Sequence, residues 1–217
     1  MTDLAPVLDF LSELGKNNTR PWFEEHRAGY QKAKDAFDGL VNQVIDAYRP
    51  VEDLGAISAK DSVMRIFRDV RFSKDKTPYR TSFAASIAPG GRKSGRMGYY
   101  LHIEPHNHSM IAGGLHDPEP EQILRFREAV SRRSGSFKAI VAEPAFKHFY
   151  GAIGGEKLKT TPKGFDPDHP EIELLRLKEV VAVHPLSDAL VLSEGLTGHI
   201  IQAFTALKPF LDYLNEL

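Results

Sequence analysis

Apolar residues at Leu4, Val7, Leu8, Leu11 and Leu14 recur at helical spacing, and Gly15 follows as a stop. The next segment offers Thr19 as an N-cap and Pro21 in the first turn. Trp22, Phe23, His26, Tyr30, Ala33, Phe37, Leu40, Val41, Val44 and Ile45 then mark one face, predicting one long helix that ends near Tyr48, before Pro50. The pattern changes after that. Val63, Ile66, Phe67 and Val70 fit a helix, but the run is short and β-branched, and a strand is expected over 63–68. SKDKTPYR reads as a loop, SFAASIAP as a strand and PGGRKSGRMG as a glycine-rich turn. Tyr99, Leu101 and Ile103 alternate with Tyr100, His102 and Glu104, which is strand periodicity. HNHS turns the chain and MIAGGL returns it.

Helices are expected again over 119–131, with Asp117 as cap and Pro118 following, and over 134–142, ended by Pro144. AFKHFY reads as a short turn, EIELLRLKE as a short helix capped by Asp168, and VVAVHPL as a strand. From about Ser193 to the end the period is helical, and Pro209 should kink or break that helix. Runs of helices flanking a run of strands predict an α+β fold: a single domain, with a central antiparallel meander sheet and N- and C-terminal helices packed on it.

Composition narrows the chemistry. None of the 217 residues is cysteine, which removes disulfides, thiolate metal sites and cysteine nucleophiles and suits a reducing, cytoplasmic setting. The N-terminus has no basic region of a secretory signal, and no apolar run is long enough for a membrane helix, so a soluble, unanchored protein is expected. The net charge is −1, but it is uneven. Between Lys60 and Arg96 ten basic residues face three acidic ones, leaving the remainder of the chain negative. A protein that coats nucleic acid is basic along its length, so a local anion site fits better.

Arg65, Arg68, Arg71, Lys74, Lys76 and Arg80 carry that surplus, interleaved with Phe67, Phe72, Tyr79 and Phe83. Arginine offers a planar fork that matches phosphate or carboxylate oxygens, and lysine adds a mobile point charge. Tyr79 could pack on the organic part of a ligand. On a strand, Arg65 and Arg68 would point to opposite faces, so only the loop residues can converge. The plainer alternative is that these cations pair with the protein's own acids on the helices.

RFSKDKTPYRTSF resembles the signature of a large uncharacterised bacterial family of single-domain proteins. NNTRPWFEEHRAGY, GYYLHIEP, PKGFDPDHPEIELLRLK and HPLSDALVLSEGL are similar to further motifs of that family, so the resemblance covers nearly the whole chain. It implies a single α+β domain and brings no reaction. The hairpin after HIEP is commonly glycine-rich in the family, and here it reads His106-Asn107-His108.

A second basic motif places Lys163 before Asp166, Asp168 and His169. Lys163 could close on the same anion as the first loop, and His169 or Asp69 could serve as acid or base if the protein is an enzyme. His102 and Glu104 share a strand face and could offer two ligands to a metal, with turn histidines completing the shell, for hydrolysis by an activated water. Glycine-rich PGGRKSGRMG lacks the spacing of a phosphate-binding P-loop. Trp22 and Phe23 read as core. Three functions stay open: binding, with possible turnover, of an anionic, phosphate-bearing ligand; a metal-dependent hydrolase using His102 and Glu104; and an interaction module docking an acidic protein or RNA through the basic loop. Neither a cofactor nor an oligomeric state follows from the sequence.

Overall fold

A computed structural model of the protein describes residues 2–217. The elements in chain order are α1 (Ala5–Lys16), α2 (Arg20–Glu25), α3 (Arg27–Tyr48), α4 (Ala59–Ser62), β1 (Phe83–Ile87), β2 (Tyr99–Ile103), β3 (Ser109–Leu115), α5 (Pro120–Ala142), α6 (Pro144–Tyr150), α7 (Ile172–Leu175), β4 (Val180–Leu186), α8 (Asp188–Val191) and α9 (Leu196–Asn215). The fold is α+β, and its four strands form an antiparallel meander in the order β1-β2-β3-β4. Among the described residues no helix is long and apolar enough to cross a membrane. The chain divides into two compact units. One runs through Ile111 and takes in Pro185–Gln202; the other comprises Ala112–His184 and Ala203–Leu217.

In the first unit the apolar stripe of α1 and α3 covers one face of the β1–β2 hairpin. Val7, Leu11, Leu14, Phe37 and Val44 are fully buried, as are Ile87, Leu101 and Ile103 on the sheet. Phe37 stacks on Phe83, with ring centroids 5.5 Å apart. The pairing Phe83↔Ile103, Ala85↔Leu101 and Ile87↔Tyr99 puts the core side chains on one face. Ala84, Ser86, Tyr100 and His102 therefore share the other. The tight turn after β2 uses left-handed backbone at His106 (φ 67°) and Asn107 (φ 61°), the conformation that favours glycine or asparagine. The Asp188 carboxylate at the start of α8 accepts from both of their backbone N–H groups, at 2.9 and 3.0 Å, and so holds the turn.

The second unit has an aromatic core in which Phe137 contacts Phe126 at 5.1 Å and Phe210 at 6.0 Å, and Phe146 contacts Phe210 at 5.5 Å. Gly114 on β3 has φ +126°, and a Cβ there would lie 2.1 Å from the Val180 carbonyl oxygen of β4. Only glycine permits that approach.

Several sequence expectations need correction. The strand over 63–68 is replaced by irregular chain with isolated bridges Val63↔Ala85 and Phe67↔Tyr79. Pro78 on the facing segment has no N–H to donate, so pairing stops at Arg68 N–H to Pro78 O and Arg80 N–H to Ile66 O. The long helix from Thr19 is two helices, because His26 leaves helical geometry (φ −100°, ψ 20°) and its ring stacks on Trp22 at 4.1 Å. Thr19 does cap α2, accepting from Trp22 N–H. Gly15 lies inside α1, and the Asn17 side chain closes that helix by donating to Glu13 O at 3.0 Å. The α5 segment departs from helical backbone at Arg133, close to the expected break. Its N-cap is Glu119, whose N–H is met by Gln122, while Asp117 takes a left-handed turn. Asp168 does not cap α7, because that helix begins only at Ile172 and Glu171 takes the N-cap position; His169 Nδ1 accepts from Glu171 N–H at 3.0 Å. Helix α9 continues through Pro209.

Candidate functional site: a polar cleft beside the basic loop

The basic loop is tied to the first unit by one side chain. Asn18, between α1 and α2, donates to Tyr79 O at 2.9 Å and accepts from Tyr79 N–H at 3.1 Å. This amide supplies both bonds that a neighbouring strand would make. The Tyr79 ring is 4% exposed and stacks on Phe23 at 4.0 Å and 11°, with Phe67 against it at 5.4 Å.

Within the loop most of the charge is matched locally. Arg68 pairs with Asp75 and also donates to the Thr77 carbonyl and hydroxyl. Arg68 and two bonds from Thr77, the backbone N–H first among them, hold the Asp75 carboxyl down at about 2. Arg71 grips Asp69 through two nitrogens, at 2.9 and 2.6 Å, and lowers its pKa. Asp69, expected as an acid-base group, is thus the partner of Arg71. Lys76 donates to the carbonyls of Val70 and Arg71. The cations therefore pair within their own loop rather than with acids on the helices. Arg65, Lys74 and Arg80 are exposed and make no ion pair with a carboxylate among the described residues.

Arg80 borders a cleft of about 320 Å³ inside this unit, walled also by Asn18, Thr81, Ser82 and Glu104. Glu104 follows directly on β2, and its position is fixed twice over. Its backbone N–H and C=O both bond the buried Ser109 hydroxyl, at 3.0 and 2.9 Å. Its carboxylate accepts from Thr81 Oγ1 at 2.7 Å and meets His102 Nε2 at 2.9 Å. His102 Nδ1 in turn meets the Tyr100 hydroxyl at 3.2 Å. A hydrogen-bonded chain thus runs from Tyr100 through His102 to a carboxylate in the cleft. Burial raises the Tyr100 pKa, while Arg80 opposes that rise. The Glu104 carboxylate can only accept, so the hydrogen between them belongs to His102 Nε2, and in the neutral imidazole Nδ1 then accepts from the Tyr100 hydroxyl.

The other sequence candidates stand elsewhere. Lys163 and His169 belong to the second unit, and neither lines this cleft. Both His169 ring nitrogens are engaged, with Glu171 N–H and with Ser131 O. Among the described residues no group of three or more His, Asp or Glu side chains is placed to hold a metal ion. His102 and Glu104 bond each other, while His106 and His108 sit on the exposed hairpin turn. A second cleft, of about 430 Å³, lies in the second unit by His116 and Lys178, which pair with Glu179 and Glu156.

Asn18, Thr81 and Ser82 were not singled out from sequence. The hairpin register would have found the hydroxyls, since extending Phe83↔Ile103 by one residue sets Ser82 opposite Glu104. Asn18 carries no such signal, because its partner lies 61 positions away.

An α+β fold built on a four-stranded meander, with one polar cleft at the root of a basic loop, defines the class. Residues 6–213 match the family described as "Conserved hypothetical protein (DUF2461)", and the chain belongs to that family. Comparison with curated proteins and with solved structures gave no match.

Proposed function

We propose that this protein binds a small anionic, phosphate-bearing ligand in the cleft of the first unit. The observation that carries the reading is Arg80: a cation without a carboxylate partner among the described residues, at the wall of a cleft that also offers hydroxyl groups. Its backbone is held by Ile66 O, and the preceding residue is clamped by Asn18, so its position is set before any ligand arrives. Lys74 and Arg65 add long-range attraction from the loop. Turnover, if the ligand reacts, would draw on Glu104 with His102 behind it. The absence of cysteine supports a cytoplasmic setting for this role.

Exposed Phe72 favours a second reading. It is 96% exposed at the loop tip, with the Arg71 guanidinium 5.9 Å from its ring centre. A bare aromatic among cations suits docking of an acidic protein segment.

Thermal unfolding in rising inorganic phosphate separates the two. Under the cleft reading phosphate raises the melting point of wild type and of Phe72→Ser but not of Arg80→Ala. Equal shifts in wild type and Arg80→Ala would remove the cleft as the anion site.

A further inference from the structure

We infer that the ligand of this cleft is a monosaccharide-sized compound carrying both a phosphate and several hydroxyl groups, a sugar phosphate rather than a nucleotide; the inference rests on the proposal that the cleft binds an anion. The argument begins with which wall groups have capacity left. Asn18 is bonded at both ends to Tyr79. The charge of Arg68 is matched by Asp75, although only its Nη1 is used there. The lining groups left with an unmatched charge or with no bond of their own are the Arg80 guanidinium and the Ser82 hydroxyl, and Glu104 keeps free lone pairs. An ionised carboxylate offers about four acceptor sites, and Thr81 and His102 occupy two.

This set is a cation and a fixed carboxylate acceptor in one small space. A bare anion large enough to fill the cleft would be drawn to Arg80 and repelled by Glu104. A neutral polyol would satisfy Glu104 and leave Arg80 without a partner. One molecule meets both demands if its phosphate lies on Arg80 and its hydroxyls donate to Glu104 and exchange a hydrogen bond with Ser82. The carboxylate is well prepared for that task. Ser109 pins its backbone, and the chain from Tyr100 through His102 pins its head.

The wall also argues against a nucleobase. Tyr79 is the one aromatic residue lining the cleft, and its ring is buried between Phe23 and Phe67. No ring face is open for stacking, the usual anchor of a base. At about 320 Å³ the cleft stands at the small end of the roughly 300–1,000 Å³ range of ligand sites.

Isothermal titration calorimetry of the full chain tests this with ribose 5-phosphate, glucose 6-phosphate, inorganic phosphate, adenosine 5′-monophosphate and serine. At least one sugar phosphate is expected to bind about tenfold or more tighter than inorganic phosphate and than the nucleotide. Glu104→Gln should weaken the sugar phosphate about tenfold and tighten inorganic phosphate, because the repulsion is gone. Ser82→Ala, which leaves the Glu104 network untouched, should weaken the sugar phosphate alone, and equal melting points would show that the variants fold. Phosphate binding as tightly as both sugar phosphates, with dependence on Arg80, would overturn the ligand class and leave the anion site standing. Serine binding tightest would also overturn it, since Glu104 would then be pairing an ammonium. Loss of all Arg80-dependent binding would overturn both readings.

Discussion

Replacing Asn18 by alanine tests whether one side chain holds the basic loop in place. The amide makes two bonds to the backbone of Tyr79, and the site is partly buried. Truncation strands one N–H and one C=O. Each buried backbone group left without a partner costs about 1–3 kcal/mol, and water reaching a partly open site keeps each near the low end, giving about 2 kcal/mol in all. For a protein of this size that is a fall of about 4–8 °C in melting temperature. A local readout makes the test sharper. The Tyr79 amide loses its acceptor, so its hydrogen exchange should speed up about thirtyfold, at 1.4 kcal/mol per factor of ten. The exposed ion pair Lys16–Glu13 serves as control, and Glu13→Ala should move the melting point by less than about 1 °C. An unchanged melting point together with unchanged exchange at Tyr79 would refute the reasoning: the stacking of Tyr79 on Phe23 would then hold the loop unaided.

Other consequences follow from the same geometry. Asp75 is held at about 2, below its ordinary 3.8, so its contribution to stability is complete above the ordinary value and is lost as pH falls from about 4 towards 2; an NMR titration should show the Thr77 amide moving with a midpoint near 2 in wild type and at a higher pH in Arg68→Gln, still below 3.8 because the Thr77 bonds remain. Gly114→Ala combines a strained φ with a Cβ pressed on the Val180 carbonyl and should cost ~3 kcal/mol or more in chemical denaturation, whereas Gly95→Ala, left-handed but in open space, should cost only about 1 kcal/mol. Phe137→Ala opens the aromatic core of the second unit and should cost about 3–5 kcal/mol in the same assay.

The sequence made the fold legible where periodicity was long. The alternation through Tyr99–Ile103 and the heptad-like run of α1 carry their own signal, since burial repeats at the element's own period. It failed where local chemistry was decided by a distant group. Nothing near residues 63–68 says that the facing chain would present Pro78, which lacks the N–H a ladder needs. Nothing near His26 says that its ring would turn back onto Trp22 and split a helix whose apolar face runs on unbroken. The site was half visible. His102 and Glu104 were marked by sharing a strand face, but as two donors to a metal; the structure makes them consecutive links of a hydrogen-bonded chain.

The surplus of positive charge that marks residues 60–96 is also a lesson in what a charge count measures. Counting treats each cation as available. In the folded loop Asp69 engages Arg71 and Asp75 engages Arg68, so the acids that lower the count only slightly remove the two arginines nearest to them. Lys76 is exposed and donates to two carbonyls of its own loop. The field left over at the cleft comes chiefly from Arg80, whose neighbours on the chain are Tyr79, clamped by Asn18, and Thr81, bonded to Glu104. If the proposed anion binds here, a single arginine whose backbone is held on both sides would lose less freedom on meeting it than several mobile cations would. The loop's other charges are spent within it, Arg68 on Asp75 and Arg71 on Asp69, while Arg80 is held at the cleft wall by Ile66 O and by the Asn18 clamp on Tyr79.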